Sequence, residues 1–172
     1  MVSRRNLMGM AAAILLLAGC AHVMAPEPDR TIYLVRHAEK LAGDDPSLTP
    51  EGAARAELLA ETLGDAGIVR IYSTDYARTR GTAAPLAAAI SVPVYLYDAS
   101  DLPAFAAVLN SQNGRILVVG HSNTTPALVE ILEGDPSAEI NEAAEYDRLY
   151  VIRITGDTVE SELRRYGVPY QP

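Results

Sequence analysis

The chain has 172 residues, of which 49% are hydrophobic and 21% are charged, and its net charge is −8 at pH 7. This length and composition suffice for one domain with its own core, and they exclude a chain that is disordered throughout. The acidic balance excludes nucleic acid as the main partner, because nucleic-acid binding requires a basic surface.

The first residues have the pattern of an export signal. Arg4 and Arg5 precede a short apolar run from Leu7 to Ala18, which ends at Gly19-Cys20. The run is shorter than the roughly 20 residues that span a bilayer as a helix. We therefore predict a signal peptide over residues 1–19. The paired arginines leave open whether export follows the general secretory or the twin-arginine route.

The single cysteine of the chain, Cys20, excludes an intramolecular disulfide. The run from Leu17 to Cys20 resembles the lipobox of bacterial lipoproteins, and this resemblance implies a lipidated Cys20 as the new N-terminus. The alternative is an unmodified cysteine in an ordinary signal peptide. We expect a lipidated tether over residues 20–30, a domain over residues 31–172, and anchoring to the periplasmic side of a bacterial membrane. The sequence does not distinguish the inner from the outer membrane.

Strand and helix patterns alternate along the remaining chain. Thr49-Pro50-Glu51 is a helix start, with Thr49 as the N-cap, and Pro85 is expected to kink or divide the second helix. Residues 134–144 are predicted to form a polar loop. In chain order we predict strand 31–36, a helix after Thr49, strand 68–72, a helix from about Tyr76, strand 92–97, helix 102–110, strand 115–119, a helix to about Leu132, and a hairpin of strands 148–154 and 158–164.

This order predicts an α/β three-layer sandwich, with a mainly parallel central sheet and an antiparallel C-terminal edge. Ligands of such sheets bind beyond the carboxyl ends of the strands. Polar residues follow three of these ends: Arg36-His37, the stretch from Ser73 to Arg78, and His121. We therefore expect two histidines and two arginines to converge in one crevice.

A phosphoryl group suits this combination of residues. Arginine binds phosphoryl oxygens through two parallel hydrogen bonds, and a helix N-terminus after His121 adds backbone N–H donors. A metal site built on His37, Glu39 and His121 is the competing interpretation, but the neighbouring arginines would repel a cation. We predict neither a metal nor a cofactor.

Four motifs in order resemble those of the histidine phosphatase superfamily, whose fold is that of phosphoglycerate mutase. They are Arg36-His37-Ala38, the run from Leu48 to Gly52, the run from Ser73 to Ala83, and Gly120-His121-Ser122. The resemblance covers about residues 31–154. It implies that His37 is the nucleophile and becomes phosphohistidine, and that Arg36, Arg78 and His121 hold the phosphoryl oxygens.

The sequence departs from the family at Ala38 and Ser122, where glycine is usual, and both replacements are small. The insert that carries a glutamate general acid in many members is nearly absent. Asp98 is our candidate for this role; Asp101, Glu39 or no acid at all are the alternatives.

The resemblance implies a metal-independent phosphatase that hydrolyses a phosphomonoester or a phosphoramidate. The substrate that this resemblance implies is a phosphorylated small molecule or a phosphoprotein. The alternatives are a lipoprotein that binds a phosphoryl ligand without turnover, and a phosphomutase. The sequence leaves the natural substrate and the oligomeric state open.

Overall fold

The computed structural model describes residues 27–171. The predicted signal peptide, Cys20 and most of the predicted tether lie outside the described residues. The elements in chain order are β1 (Arg30–Arg36), α1 (Pro50–Leu63), β2 (Ile68–Ser73), α2 (Ala77–Ile90), β3 (Val94–Leu96), α3 (Leu102–Asn110), β4 (Gly114–Gly120), α4 (Thr124–Ile131), β5 (Arg148–Thr155) and β6 (Thr158–Arg165).

The six strands form one sheet in the order β3-β2-β4-β1-β5-β6. The pairs β2–β3, β2–β4 and β1–β4 are parallel, whereas β5 pairs antiparallel with β1 and β6. The predicted fold class, a mainly parallel sheet with an antiparallel C-terminal edge, is confirmed.

Helices cover both faces of the sheet, with α1 against α2 on one side and α3 against α4 on the other. Successive residues of β4 supply both cores. Ile116 and Val118 pack into the core that includes Leu128 of α4, while Leu117 and Val119 join the core of the opposite face. A strand buried on both faces needs a continuous apolar run, and this explains the sequence of β4. Within residues 27–171, no helix is long and apolar enough to cross a membrane.

Two elements differ from the sequence prediction. β3 is shorter than the predicted strand 92–97 because it lies at the sheet edge and pairs only with residues 71–73 of β2. Of the two outcomes expected at Pro85, division of the helix does not occur, because α2 runs without a break from Ala77 to Ile90. Packing against the core holds this helix together despite the hydrogen bond that Pro85 cannot donate. The buried side chains of α2 lie on both sides of the proline: Thr79, Thr82, Ala83 and Leu86.

The start of α1 lies against the segment that follows β1. The Thr49 hydroxyl accepts a hydrogen bond from the Gly52 N–H at 3.1 Å, as its N-cap role predicts. A Cβ atom at Gly52 would lie 2.0 Å from the carbonyl oxygen of Glu39. Only glycine therefore allows the helix to approach the chain this closely, two residues after His37.

We expect Gly52→Ala to lower the free energy of unfolding by about 1–3 kcal/mol or more, because the clash is with backbone atoms. Urea unfolding would measure the loss. Glu57→Ala, at an exposed position of the same helix, is the control and should change stability by less than about 0.5 kcal/mol. Equal stability of the two variants would contradict the close approach.

Candidate active site

The two predicted site histidines follow paired strands at the same edge of the sheet. Arg36 at the end of β1 is in register with Gly120 at the end of β4. The backbone N–H of His37 donates to the Gly120 carbonyl at 2.9 Å, which extends the pairing by one step. The two imidazole rings have centroids 5.5 Å apart. The sheet thus brings together residues that are far apart in sequence.

His37 is held as a neutral imidazole. It is 3% exposed, and its Nδ1 lies 2.8 Å from the carbonyl oxygen of Ala38. A carbonyl only accepts hydrogen bonds, so Nδ1 carries the proton and Nε2 keeps its lone pair. Burial lowers the pKa of His37 to about 3, and Arg36, His121 and Arg78 add to this effect. A neutral ring with a defined tautomer is a nucleophile at neutral pH.

The lowered pKa of His37 predicts a sensitivity to acid. The unfolded chain binds a proton at His37 below pH 6.5, whereas the folded chain binds it only near pH 3. The free energy of unfolding therefore decreases as the pH is lowered from 6.5 towards 3. The wild type should lose about 3 kcal/mol more than His37→Asn between pH 7 and pH 4. Urea unfolding at each pH would measure this difference; parallel pH profiles of the two proteins would contradict a buried neutral His37.

His121 is oriented by a pair of hydroxyl groups. Its Nε2 lies 2.9 Å from the hydroxyl of Thr74, which lies 3.0 Å from the hydroxyl of Thr79. The ring of Tyr76 packs edge-on against it at 5.1 Å between centroids. Burial lowers the pKa of His121 to about 4, with further contributions from Arg78 and Arg36. The two arginine contributions place positive charge near His121, as expected of a residue in an anion site.

Arg78 lies in the first turn of α2 and lines the same cavity of about 330 Å³ as His37 and His121. Its guanidinium lies 4.3 Å from the centre of the Tyr76 ring and 3.7 Å from the carboxylate of Asp45. Its buried Nε–H has no partner among the described residues. This arrangement leaves a donor for an anion and agrees with the predicted convergence.

Arg36 is placed differently from the prediction. It is 2% exposed, and its terminal nitrogens donate to three backbone carbonyls of the loop after α4: Asn141 at 3.3 Å, Glu142 at 2.6 Å and Glu145 at 2.9 Å. The Tyr146 ring lies 4.1 Å from its guanidinium carbon. Within the described part of the chain, its buried Nε–H has no partner. Arg36 therefore fastens the loop to the nucleophile strand, and most of its fork is not available for phosphoryl oxygens.

The geometry gives no support to Asp98 as the general acid. Asp98 is exposed, lies outside the cavity of His37, and accepts a hydrogen bond from the Ser100 N–H at 2.8 Å. This bond lowers the pKa of Asp98, whereas a proton donor requires a raised one. Asp101 caps α3 by accepting from the Ala104 N–H. Glu39 forms an ion pair with Arg55 at 2.8 Å.

The structure adds residues that the sequence interpretation did not assign to the site. Lys40, Tyr76, Asn123 and Glu142 line the cavity of His37. Lys40 lies three residues after His37, Tyr76 two residues before Arg78, and Asn123 two residues after His121. This closeness in sequence was an available signal for three of the four residues. Glu142 lies in the predicted polar loop, and nothing in that loop's composition indicates a return to the strand ends.

The donors needed for a metal centre are not assembled near these residues. Across residues 27–171, no group of three or more histidine, cysteine, aspartate or glutamate side chains is placed to hold a metal ion. The cavity presents cationic and imidazole groups, which suit an anion.

Comparison with known proteins relates this site to a family. Residues 32–99 match the family model described as histidine phosphatase superfamily (branch 1). The matched part includes His37 and Arg78, whereas His121 lies beyond it. No curated protein sequence matches the chain.

Solved structures extend the likeness to most of the chain. A protein from Nakamurella multipartitia, provisionally named as the phosphohistidine phosphatase SixA, is 26% identical with a TM-score of 0.59, over 84% of this chain and 100% of that one. A protein from Agrobacterium tumefaciens with the same provisional name is 22% identical with a TM-score of 0.63, over 83% and 99%. A protein histidine phosphatase SixA complexed with tungstate is 17% identical with a TM-score of 0.61, over 79% and 95%. Residues 32–99 therefore carry the sequence pattern of the histidine phosphatase superfamily, and these similarities support an enzyme of the phosphatase class.

Proposed function

We propose that this enzyme hydrolyses a phosphomonoester or a phosphoramidate through a phosphohistidine intermediate on His37. The observation that carries the proposal is the neutral ring of His37, whose Nδ1 is tied to the Ala38 carbonyl and whose neighbours in one cavity are Arg78 and His121. The proposal assigns nucleophilic attack to Nε2, the nitrogen that keeps its lone pair.

The surrounding groups suit the charge that moves during the reaction. As the bond from phosphorus to the leaving group breaks, Arg78 and His121 stabilise the phosphoryl oxygens, and Arg36 adds positive charge behind them. The N-terminal end of α4 contributes a favourable dipole at the same cavity. Water then attacks the phosphohistidine, which releases phosphate and restores His37.

The proposed substrates are phosphorylated small molecules and phosphoproteins. The names of similar structures include phosphohistidine phosphatases, and this supports a protein phosphohistidine as one substrate. The cavity is open to solvent, which suits access by a side chain carried on another protein.

We also propose that the enzyme is exported and anchored at Cys20. The lipobox-like run from Leu17 to Cys20 supports this proposal, as does the basic and apolar start of the chain. In a bacterial host, Cys20→Ser should move the enzyme from the membrane fraction to the soluble fraction. The anchor would be contradicted if the Cys20→Ser variant stayed in the membrane fraction and the wild-type protein carried no lipid.

Hydrolysis of a generic aryl phosphate by the purified full chain tests the proposed reaction. We expect release of inorganic phosphate at the same rate with and without a metal chelator. Loss of activity in chelator would favour a metal-dependent reaction. Tight binding without phosphate release would favour a binding protein, and transfer of the phosphoryl group to a second acceptor would favour a mutase.

A further inference from the structure

Among the described residues that line the cavity of His37, Glu142 carries the only carboxyl group. The other acidic residues near the site have different contacts. Glu39 is paired with Arg55, and Asp98 and Asp101 accept hydrogen bonds from backbone N–H groups at the start of α3. Glu142 is exposed to solvent and shares its cavity with both histidines.

The backbone of Glu142 is fixed to the strand that carries the nucleophile. Its carbonyl accepts a hydrogen bond of 2.6 Å from the Nη2 of Arg36, the residue before His37. Arg36 also binds the carbonyls of Asn141 and Glu145 on either side. The carboxylate of the buried Glu145 then accepts from the Asn141 N–H at 3.0 Å, which closes the loop on itself. Glu142 therefore lies on a loop held at several points, and an acid–base group requires such positioning.

We propose that Glu142 is the general acid and base of the phosphatase reaction. This assignment rests on the proposed function. In the first step Nε2 of His37 forms a bond to phosphorus, the bond from phosphorus to the leaving oxygen breaks, and the Glu142 carboxyl gives its proton to that oxygen. In the second step the Glu142 carboxylate takes a proton from water, the water oxygen bonds to phosphorus, and the bond to Nε2 breaks. Phosphate leaves, and both residues return to their starting states.

Lys40 and Arg78 line the same cavity and attract the negatively charged phosphoryl group of a substrate.

The test compares two aryl phosphates that differ in how much the leaving group needs a proton. Glu142→Gln keeps the size of the side chain and removes its acidic proton. For the full chain acting on phenyl phosphate, we expect this substitution to lower kcat/KM by about 10²–10⁴-fold. For 2,4-dinitrophenyl phosphate, whose phenolate leaves unprotonated, little change is expected. Glu139→Gln, exposed on the same loop and outside the cavity, is the control and should leave both rates unchanged.

An equal loss on both substrates would overturn the assignment, because it would indicate a positional effect of the loop. Unchanged rates on both substrates would also overturn it. In either case, hydrolysis that still depends on His37 would leave the proposed function standing. Hydrolysis of neither substrate by the wild type would instead refute the proposed function itself, and the role of Glu142 with it.

Discussion

His37→Ala is expected to lower kcat/KM for an aryl phosphate by ~10⁵-fold. The loss of a nucleophile has an effect of this size in other enzymes with covalent intermediates. The buried ring is the group that would attack phosphorus. Among the described residues of the cavity the other histidine is His121, whose Nε2 lies within hydrogen-bond distance of Thr74. Steady-state kinetics of the purified variant would measure the loss.

The chain offers a matched control, because it contains three histidines. His22→Ala removes the same side chain from the predicted tether and should leave the rate unchanged. Circular dichroism should show that both variants are folded. Activity of His37→Ala within a few-fold of the His22→Ala rate would contradict the role of His37.

The second large effect is expected at Glu145, which is 2% exposed and lies at the centre of an ionic cluster. Its carboxylate accepts hydrogen bonds from Arg148 at 2.6 and 3.0 Å and from Arg165 at 3.0 Å. Burial raises the pKa of Glu145, but the donors from Arg148, the Asn141 N–H and Arg165 outweigh it, so the net pKa is lowered. The carboxylate is therefore charged at neutral pH, and its stabilising effect is lost only in acid.

Glu145→Ala should lower the free energy of unfolding by about 3–5 kcal/mol, because it leaves the buried Arg148 without its carboxylate. The same change should reduce phosphatase activity, since it loosens the loop that holds Arg36 and Glu142. Urea unfolding and steady-state kinetics would measure the two effects.

Glu162→Ala serves as the control for Glu145→Ala. Glu162 pairs with Arg153 and Arg164 through solvent-accessible side chains of the β5–β6 hairpin, where ion pairs contribute little to stability. Similar unfolding curves for the two variants would contradict the view that the Glu145 cluster holds the loop after α4.

Local sequence patterns predicted most of the fold and the residues that meet in the candidate site. Residues close together in the sequence determine the apolar run of β4 and the Thr49 cap of α1. They also show that His37 and His121 each follow a strand. Pro85 shows the limit of such patterns, because packing on the buried face of α2 overrides a local helix breaker.

The loop after α4 could not be predicted in this way. Its course depends on the contacts of Glu145 with Arg165, which is 20 residues away, and on the contacts of Arg36 with carbonyls more than 100 residues away. In the sequence, this stretch is polar and resembles any solvated loop. For the same reason, Asp98 was the natural candidate for the acid, whereas the structure places Glu142 in the cavity.

Trapping the phosphoenzyme tests the central claim most directly. The full chain is mixed with a ³²P-labelled phosphomonoester or phosphoramidate, quenched in alkali and digested. We predict one labelled peptide, which contains His37. Its label should be stable in alkali and lost in acid, and the His37→Ala variant should give no such peptide. Turnover without such a labelled peptide, or with label on a serine, threonine or carboxylate side chain, would contradict the phosphohistidine mechanism.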